Sequence, residues 1–502
     1  MLRDRLLATG FGASAELDTY YAAFRIPDFI YQVLILGAIS AAFIPVFAGY
    51  LAHKRKDEAD KVASSILTIG FLGLSVAAGL AWLLTPQFMP FVAPGFTGAQ
   101  LDTTIELTRI MLLSPILFGL SGIFGSILNS NRKFIAYATA PLFYNLGIIA
   151  GALVAPAYGL EWLAIGVVVG ALLQMLVQLL AVLRTGFKFR PRIDWRHPGV
   201  RRIALLGIPA TAGLAITQIN WLLETIIATT LREGSLAQFM LASSLSMLPV
   251  GVIGVSFATA VFPVLAEAAS RKATDVFTFN LVTVIRKILY FVIPASVAIM
   301  LLRAQLVRLI YGAGKFDFTD TRFVTSLLGI LAVSLFAQAL IPLLTRAFYA
   351  LRNTKTPVLI SALGVIVNIA LALGFSYYLG VVGLAIAFSA ASIIQLALLL
   401  FFLSAKVPAI EDSQMLRAVG QIALASLLMG GVIYGSLYGV AFVAEHLAKE
   451  FTVAYFLIQT TAAAAIGAAT YLFITKRMGL PEADQFLSWI GRKRLKEVKD
   501  VR

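Results

Sequence analysis

The sequence predicts an all-α polytopic membrane protein with about fourteen transmembrane segments, the first of them short. Three observations predict it. The 502 residues are 60% hydrophobic and 13% charged, against roughly 45–50% apolar and 25% charged in soluble domains. Mean hydropathy is +0.89. Apolar runs of about 20 residues, enough to cross a hydrocarbon core of ~30 Å, recur along the whole chain. The chain also repeats itself: GLEWLAIGVVVGALLQ (159–174) aligns without gaps on GVVGLAIAFSAASIIQ (380–395), an offset of 221, and SAAFIPVF (40–47) on ATAVFPVL (258–265), an offset of 218. The two offsets are similar, which favours a duplicated bundle. Parallel repeats about an axis along the membrane normal are a transporter architecture.

The segments run approximately over 1–14, 19–49, 62–84, 103–128, 136–156, 160–184, 202–231, 237–267, 278–302, 323–350, 357–378, 381–404, 416–441 and 452–475. The first has charges but no long apolar core, so it does not read as a cleavable signal peptide. It is too short to span, so it enters partway or is preceded by further residues. Segments 19–49 and 237–267 exceed a simple span and are expected to tilt, bend or extend. Pro27 and Pro45 interrupt the first of these. A proline frees a carbonyl one turn back, which water or a neighbouring polar group must satisfy.

Basic loops at 53–61, 129–134, 184–202, 270–275 and 351–355 alternate with loops such as 85–102 that hold no Lys or Arg. By the positive-inside rule both termini are cytoplasmic. One stretch departs: 302–322 carries Arg303, Arg308, Lys315 and Arg322 on the predicted outer side. It is read as a partly helical interfacial or re-entrant piece. The tail 481–502 mixes Phe486, Trp489 and Ile490 with basic residues, as an amphipathic helix on an anionic leaflet does. A disordered basic tail is the alternative.

Net charge is +15, from 40 Lys+Arg against 25 Asp+Glu. In a soluble chain that would suggest nucleic acid; here it serves topology, and no nucleic-acid partner is expected. The chain has no cysteine, and its three histidines, His53, His197 and His446, form no ligand cluster. No metal site is expected. The sequence holds no phosphate-cradling Gly-Lys loop, no HExxH and no nucleophile–His pair, so it does not read as an enzyme.

Ionisable side chains inside a span are costly and default to function. Arg25 and Asp28, three apart, share one helix face. Asp18 lies two turns earlier, and Gln32 one turn later. Together they form a polar stripe expected to line a central cavity; the plainer alternative is an interfacial Arg25 paired with Asp28. Arg3, Asp4 and Arg5 open the chain, either as part of that cavity or as a plain cytoplasmic end. Glu224 sits well inside a span with Gln218 and Asn220 nearby. A lone buried carboxyl is protonated or binds a cation. Asn145 and Asn368 occupy equivalent repeat positions, and helix–helix contact is the common role for such residues.

LRDRLLATGFGASAELDTYYAAFRIPDFIYQVLILGAISAAFIPVF (2–47) resembles the opening of the MurJ/MviN lipid II flippases, with Arg3-Asp4, Phe11-Gly12-Ala13, Asp18, Ala23-Phe24-Arg25-Ile26-Pro27 and Gly37-Ala38 at the motif positions. The stretches 248–267, YGAGKF (311–316) and RAFYALRNTKTPV (346–358) match too. The resemblance runs nearly end to end. It implies the fold of the exporter superfamily that includes multidrug and polysaccharide exporters: two pseudo-symmetric six-helix lobes plus two C-terminal transmembrane helices. Laid on the segments above, this gives an N-terminal lobe at 1–184, a basic cytoplasmic linker at 185–201, a C-terminal lobe at 202–404, two additional helices at 405–475 and a basic amphipathic tail at 476–502.

The resemblance further implies that lipid II is carried from the inner to the outer leaflet of the bacterial cytoplasmic membrane by alternating access. The substrate-binding residues it implies are Arg3, Asp4, Asp18, Arg25, Asp28 and Gln32. Arg3 and Arg25 would neutralise the diphosphate, while the aspartates orient them or bind the headgroup. Some relatives place a sodium site where Glu224 and Asn368 match, though an acidic residue one turn after the Asn is Ala372 here. No cofactor is implied beyond coupling to sodium, protons or the membrane potential. The expected partners are lipid II, membrane lipids and cell-wall synthesis proteins, with the chain a monomer. This sequence also departs from the pattern: Tyr31 and Gln32 stand where a basic pair is common, Leu36 replaces a Glu, and Ala242-Ser243-Ser244-Leu245 replaces Ala-Asp-Arg-Leu. The last change removes an arginine usually assigned to the pyrophosphate. These departures leave three alternatives open: another polyprenyl-diphosphate-linked glycan, an amphipathic export substrate, or a non-transporting cell-wall scaffold.

Overall fold

The computed structural model describes residues 1–33, 37–407, 413–447 and 453–488. Among them every regular element is helical. Helices α1 (Leu2–Phe11), α2 (Ala15–Ala23), α3 (Arg25–Tyr31) and α4 (Gly37–Ala52) open the chain. They are followed by α5 (Lys56–Val92), α6 (Gly98–Met111), α7 (Ser114–Ser130), α8 (Phe134–Tyr158), α9 (Glu161–Leu183) and α10 (Pro198–Thr229). Next come α11 (Ser235–Pro249), a π-helical turn at Val250–Val255, α12 (Ser256–Ser270), α13 (Thr274–Tyr311), α14 (Phe318–Val333) and α15 (Leu335–Ala350). The last are α16 (Lys355–Leu379), α17 (Val381–Ser404), α18 (Ser413–Leu447) and α19 (Val453–Arg477). By length and composition, 10 of the described helices can cross a membrane, or 11 if the pair α14–α15, bent by 48°, is one span.

The first over-long segment is broken at Phe24, and the second continues as helix through a π turn. Pro27 cannot donate the helical hydrogen bond to the carbonyl of Ala23, and the helix breaks at Phe24 between α2 and α3. The freed Ala23 carbonyl accepts instead from the Thr108 hydroxyl of α6, at 3.3 Å. In the other segment, Pro249 is followed by the π turn, which packs tightly: a Cβ added to Gly254 would lie 2.6 Å from the Ala339 carbonyl oxygen. The basic stretch 302–322 is helical as far as Tyr311, as the end of α13. It is helical again from Phe318, the start of α14. The tail begins as a helix over 481–488 that docks on α13, Glu482 meeting Arg286 at 3.0 Å and Phe486 packing on Phe291. Trp489, Ile490 and the rest of the tail lie outside the described residues, as does Leu36.

The chain forms two compact units. The first comprises 1–240, 313–320 and 365–384. Its core joins Phe43 and Phe47 of α4, Val62 of α5, Ile123 and Ile127 of α7 and Val182 of α9. The second comprises 241–312, 321–364 and 385–502. There Leu265, Ile285, Leu343 and Leu399 pack together, and Tyr290 and Leu302 of α13 meet Ile422 and Met429 of α18.

Within the first unit α8 and α9 cross at backbone contact. Gly147 and Gly151 face Gly166 and Gly170, and a Cβ on Gly166 would lie 2.8 Å from the Gly147 carbonyl oxygen. Small residues four apart on both helices permit this approach, which gives close van der Waals packing in a solvent as apolar as the side chains. Gly166→Leu therefore overpacks the crossing by at least ~1–3 kcal/mol. Its melting temperature in detergent should fall by several degrees, while Gly73→Ala, where a Cβ meets nothing within 4 Å, should leave it unchanged.

Candidate polar site in the first unit

The break at Phe24 divides the polar stripe. Asp18, on α2, is 2% exposed and turns to the start of α11. Its Oδ2 accepts from the Gly234 amide and its Oδ1 from the Ala237 amide, each at 2.7 Å. This caps the first turn of a helix remote in sequence, where unpaired amides and the helix dipole favour a carboxylate. Gly234 is required in this turn: its φ is +81°, and a Cβ would collide with the Ala13 carbonyl. Each oxygen of Asp18 thus accepts a backbone amide, which braces this turn. Asp18→Asn loses a charge-assisted hydrogen bond, about 1.5–3 kcal/mol. We expect a melting temperature several degrees lower in detergent.

Arg25 opens α3. It forms no ion pair with Asp28 within 4.0 Å among the described residues. One Nη donates to Met240 Sδ at 3.0 Å, a weak acceptor. The guanidinium carbon lies 5.7 Å from the centre of the Trp221 ring, within cation–π range. Arg25 Nε is buried and has no hydrogen-bond partner. Asp28 lies one turn on in the same helix, and Gln32 caps its end. The two positions with a basic pair in the resembled family hold Tyr31, whose ring packs 5.1 Å from that of Phe118, and Gln32.

Arg3 and Asp4 pair on α1, with Arg3 Nε and Nη2 donating to Asp4 Oδ1 at 2.9 and 2.8 Å. Asp4 is 4% exposed, so it holds Arg3 in a fixed orientation; Arg5 is exposed. The turn between α1 and α2 is clasped by 313–320: the Lys315 amide donates to the Thr9 carbonyl at 2.9 Å and the Ala13 amide to Asp320 Oδ2 at 2.9 Å.

One turn beyond Trp221 on α10 lies Glu224, which is 2% exposed. Its Oε1 accepts from Asn220 at 2.8 Å and from Asn368 of α16 at 2.9 Å, and Asn368 also donates to Asn220 Oδ1 at 2.8 Å. Glu224 Oε2 and Asn368 Oδ1 are buried with no partner. An orphaned carboxylate oxygen and an orphaned amide oxygen suit a hard cation with oxygen ligands. Among the described residues no three His, Cys, Asp or Glu side chains gather for a metal ion, so a transition metal does not fit here. Ala372, one turn after Asn368, is buried and adds no ligand. The repeat-equivalent Asn145 only bonds its own helix, donating to the Pro141 carbonyl at 2.9 Å.

Sequence reasoning singled out Arg25 and Glu224 but missed Trp221 and Met240. Trp221 stands three residues before Glu224, the one pattern that could have signalled it.

A family model described as "Lipid II flippase MurJ" matches residues 7–474. A curated relative from Haemophilus influenzae, "Probable lipid II flippase MurJ", is 31% identical over 461 residues, covering 86% of this chain and 88% of its own. One of the same name from Rhizobium tropici is 30% identical over 444 residues, covering 86% and 82%. A solved structure titled "Lipid II flippase MurJ, inward closed conformation" superposes with a TM-score of 0.78 at 27% identity, covering 95% of both chains. A multidrug MATE transporter of the MOP superfamily, in an inward-facing conformation, superposes with a TM-score of 0.69 at 16% identity over 82% of this chain and 94% of its own, which speaks to fold alone.

Proposed function

The chain belongs to the MurJ lipid II flippase family, and on that footing we propose that it carries lipid II from the inner to the outer leaflet of the bacterial cytoplasmic membrane. The observation that carries this reading is Arg25. A buried guanidinium with an unpartnered Nε and only a thioether acceptor is costly to maintain. A diphosphate supplies the missing acceptors in the planar, two-pronged geometry that arginine matches.

The Trp221 ring lies within cation–π range of the guanidinium, which favours its position before the anion arrives. Arg3, fixed along one edge by Asp4, adds a second positive group and leaves its remaining nitrogen donors for the substrate. Asp28 and Gln32 suit hydroxyls and amides of the headgroup. Glu224, Asn220 and Asn368 would hold a sodium ion or a proton. Bound there, the cation neutralises the Glu224 carboxylate one turn from Trp221, so that the carboxylate no longer competes with the diphosphate for Arg25. This ties the coupling cation to substrate affinity. The membrane potential adds ~2.3 kcal/mol per charge per 100 mV.

The transport cycle in this reading is alternating access by two six-helix lobes with two added C-terminal helices. It comprises fourteen crossings, cytoplasmic termini and a monomeric chain, with cell-wall synthesis proteins as neighbours. A second reading, export of another undecaprenyl-diphosphate-linked glycan, is favoured by Tyr31, Gln32 and Ser244, which replace basic residues of the family. Binding to the purified chain separates the two. The account expects lipid II to bind at least tenfold more tightly than an undecaprenyl diphosphate bearing an unrelated glycan. Equal or reversed preference would assign the chain to the other substrate.

A further inference from the structure

We propose that a cleft between α4 and the start of α10 binds the phosphate headgroup of an anionic phospholipid of the inner leaflet, at a site separate from Arg25. The cleft is about 550 Å³, within the range of small-ligand sites. Its walls divide by chemistry. Pro45, Val46 and Gly49 make an apolar side, and Tyr50, His53, Arg55 and Arg202 make a polar and cationic one. All of it lies in the first unit.

Three of the neighbouring basic residues are paired. Lys61 and His197 share Glu58, at 2.7 and 3.0 Å, and Arg192 meets Asp194 at 3.1 Å. His197 is further fixed, because its Nδ1 accepts the Gly199 amide at 3.1 Å and so its Nε2 carries the proton towards Glu58. Arg55 and Arg202 have no carboxylate within 4.0 Å among the described residues, and they line the same cleft, Arg55 from the turn before α5 and Arg202 from the start of α10. Two arginines without acids, converging beside a tyrosine hydroxyl, form a receptor for a phosphate oxygen cluster. The apolar wall on α4 selects the source. A free phosphate has no use for it, whereas the glycerol and upper acyl chain of a lipid would bury against it, at ~25 cal/mol per Å². The basic loops 53–61 and 184–202, which flank the cleft, set it at the inner leaflet by the positive-inside rule.

The test is native mass spectrometry of the purified full chain with phosphatidylglycerol, phosphatidylcholine or inorganic phosphate. We expect one tightly retained phosphatidylglycerol, displaced by neither alternative. The double variant Arg55→Gln/Arg202→Gln should bind it on the order of tenfold more weakly, as the loss of charge-assisted hydrogen bonds predicts. Lys54→Gln/Arg201→Gln removes the same charge next door, outside the cleft, and should retain it. Gly49→Leu, whose Cβ would meet nothing within 4 Å, should fill the apolar side and lose the lipid with no change in charge. Equal retention by the first double variant and Gly49→Leu would overturn the proposal. So would equal loss in both double variants, which would mean general surface charge. Inorganic phosphate displacing the lipid at equal concentration would also overturn it, leaving an adventitious ion only.

Discussion

Arg25→Ala should abolish flipping while the protein still inserts. The variant removes a buried guanidinium with an unpartnered donor, and with it the charge-assisted contacts to the diphosphate. At about 1.5–3 kcal/mol for such contacts, lipid II affinity should fall on the order of 10–100-fold. Arg25→Lys keeps the charge but loses the two-pronged fork, and should sit between. Trp221→Leu should weaken binding less than Arg25→Ala, because it frees the guanidinium without deleting it. Titration of lipid II into the purified variants reads all three. If Arg25→Ala binds like the parent, Arg25 is not the diphosphate group, and the orphaned Nε needs another explanation.

Glu224→Gln should remove the dependence of transport on its coupling cation. Glutamine keeps the volume and can still accept from Asn220 and Asn368, which bond Oε1 in the parent. It lacks the negative charge that would attract a cation to Oε2. Flipping by proteoliposomes should then no longer respond to sodium or to pH, whichever drives the parent. Asn368→Ala deletes the second orphaned acceptor and should shift the cation requirement at least tenfold upward. A Glu224→Gln protein with the parent's response to both ions would show that the orphaned oxygens serve packing alone.

The helical segments were legible because membrane crossing imposes long apolar runs, and every segment read from the sequence carries helix where it is described. The local breaks were half legible. Pro27 marked where α2 ends, but not that Thr108, distant in sequence, would take up the carbonyl it frees. The stripe was legible in composition and not in direction. Asp18 and Arg25 look alike as intramembrane charges, yet the break at Phe24 turns Asp18 to the amides at Gly234 and Ala237 and leaves Arg25 with Trp221. The alternative that paired Arg25 with Asp28 assumed that helical neighbours pair. The guanidinium instead reaches a residue 215 positions away, Met240. Glu224 and Asn368 were brought together by the family resemblance, but that they share hydrogen bonds with Asn220 was beyond spacing rules, since residues 365–379 of α16 join the first unit from the far half of the chain.

The central claim is tested most directly by lipid II exposure on the outer face of cells depleted of their own flippase and expressing this chain. The account predicts restored exposure with the parent sequence and none with Arg25→Ala at equal membrane levels. Absence of exposure from a well-inserted parent chain would contradict it, as would full exposure from Arg25→Ala.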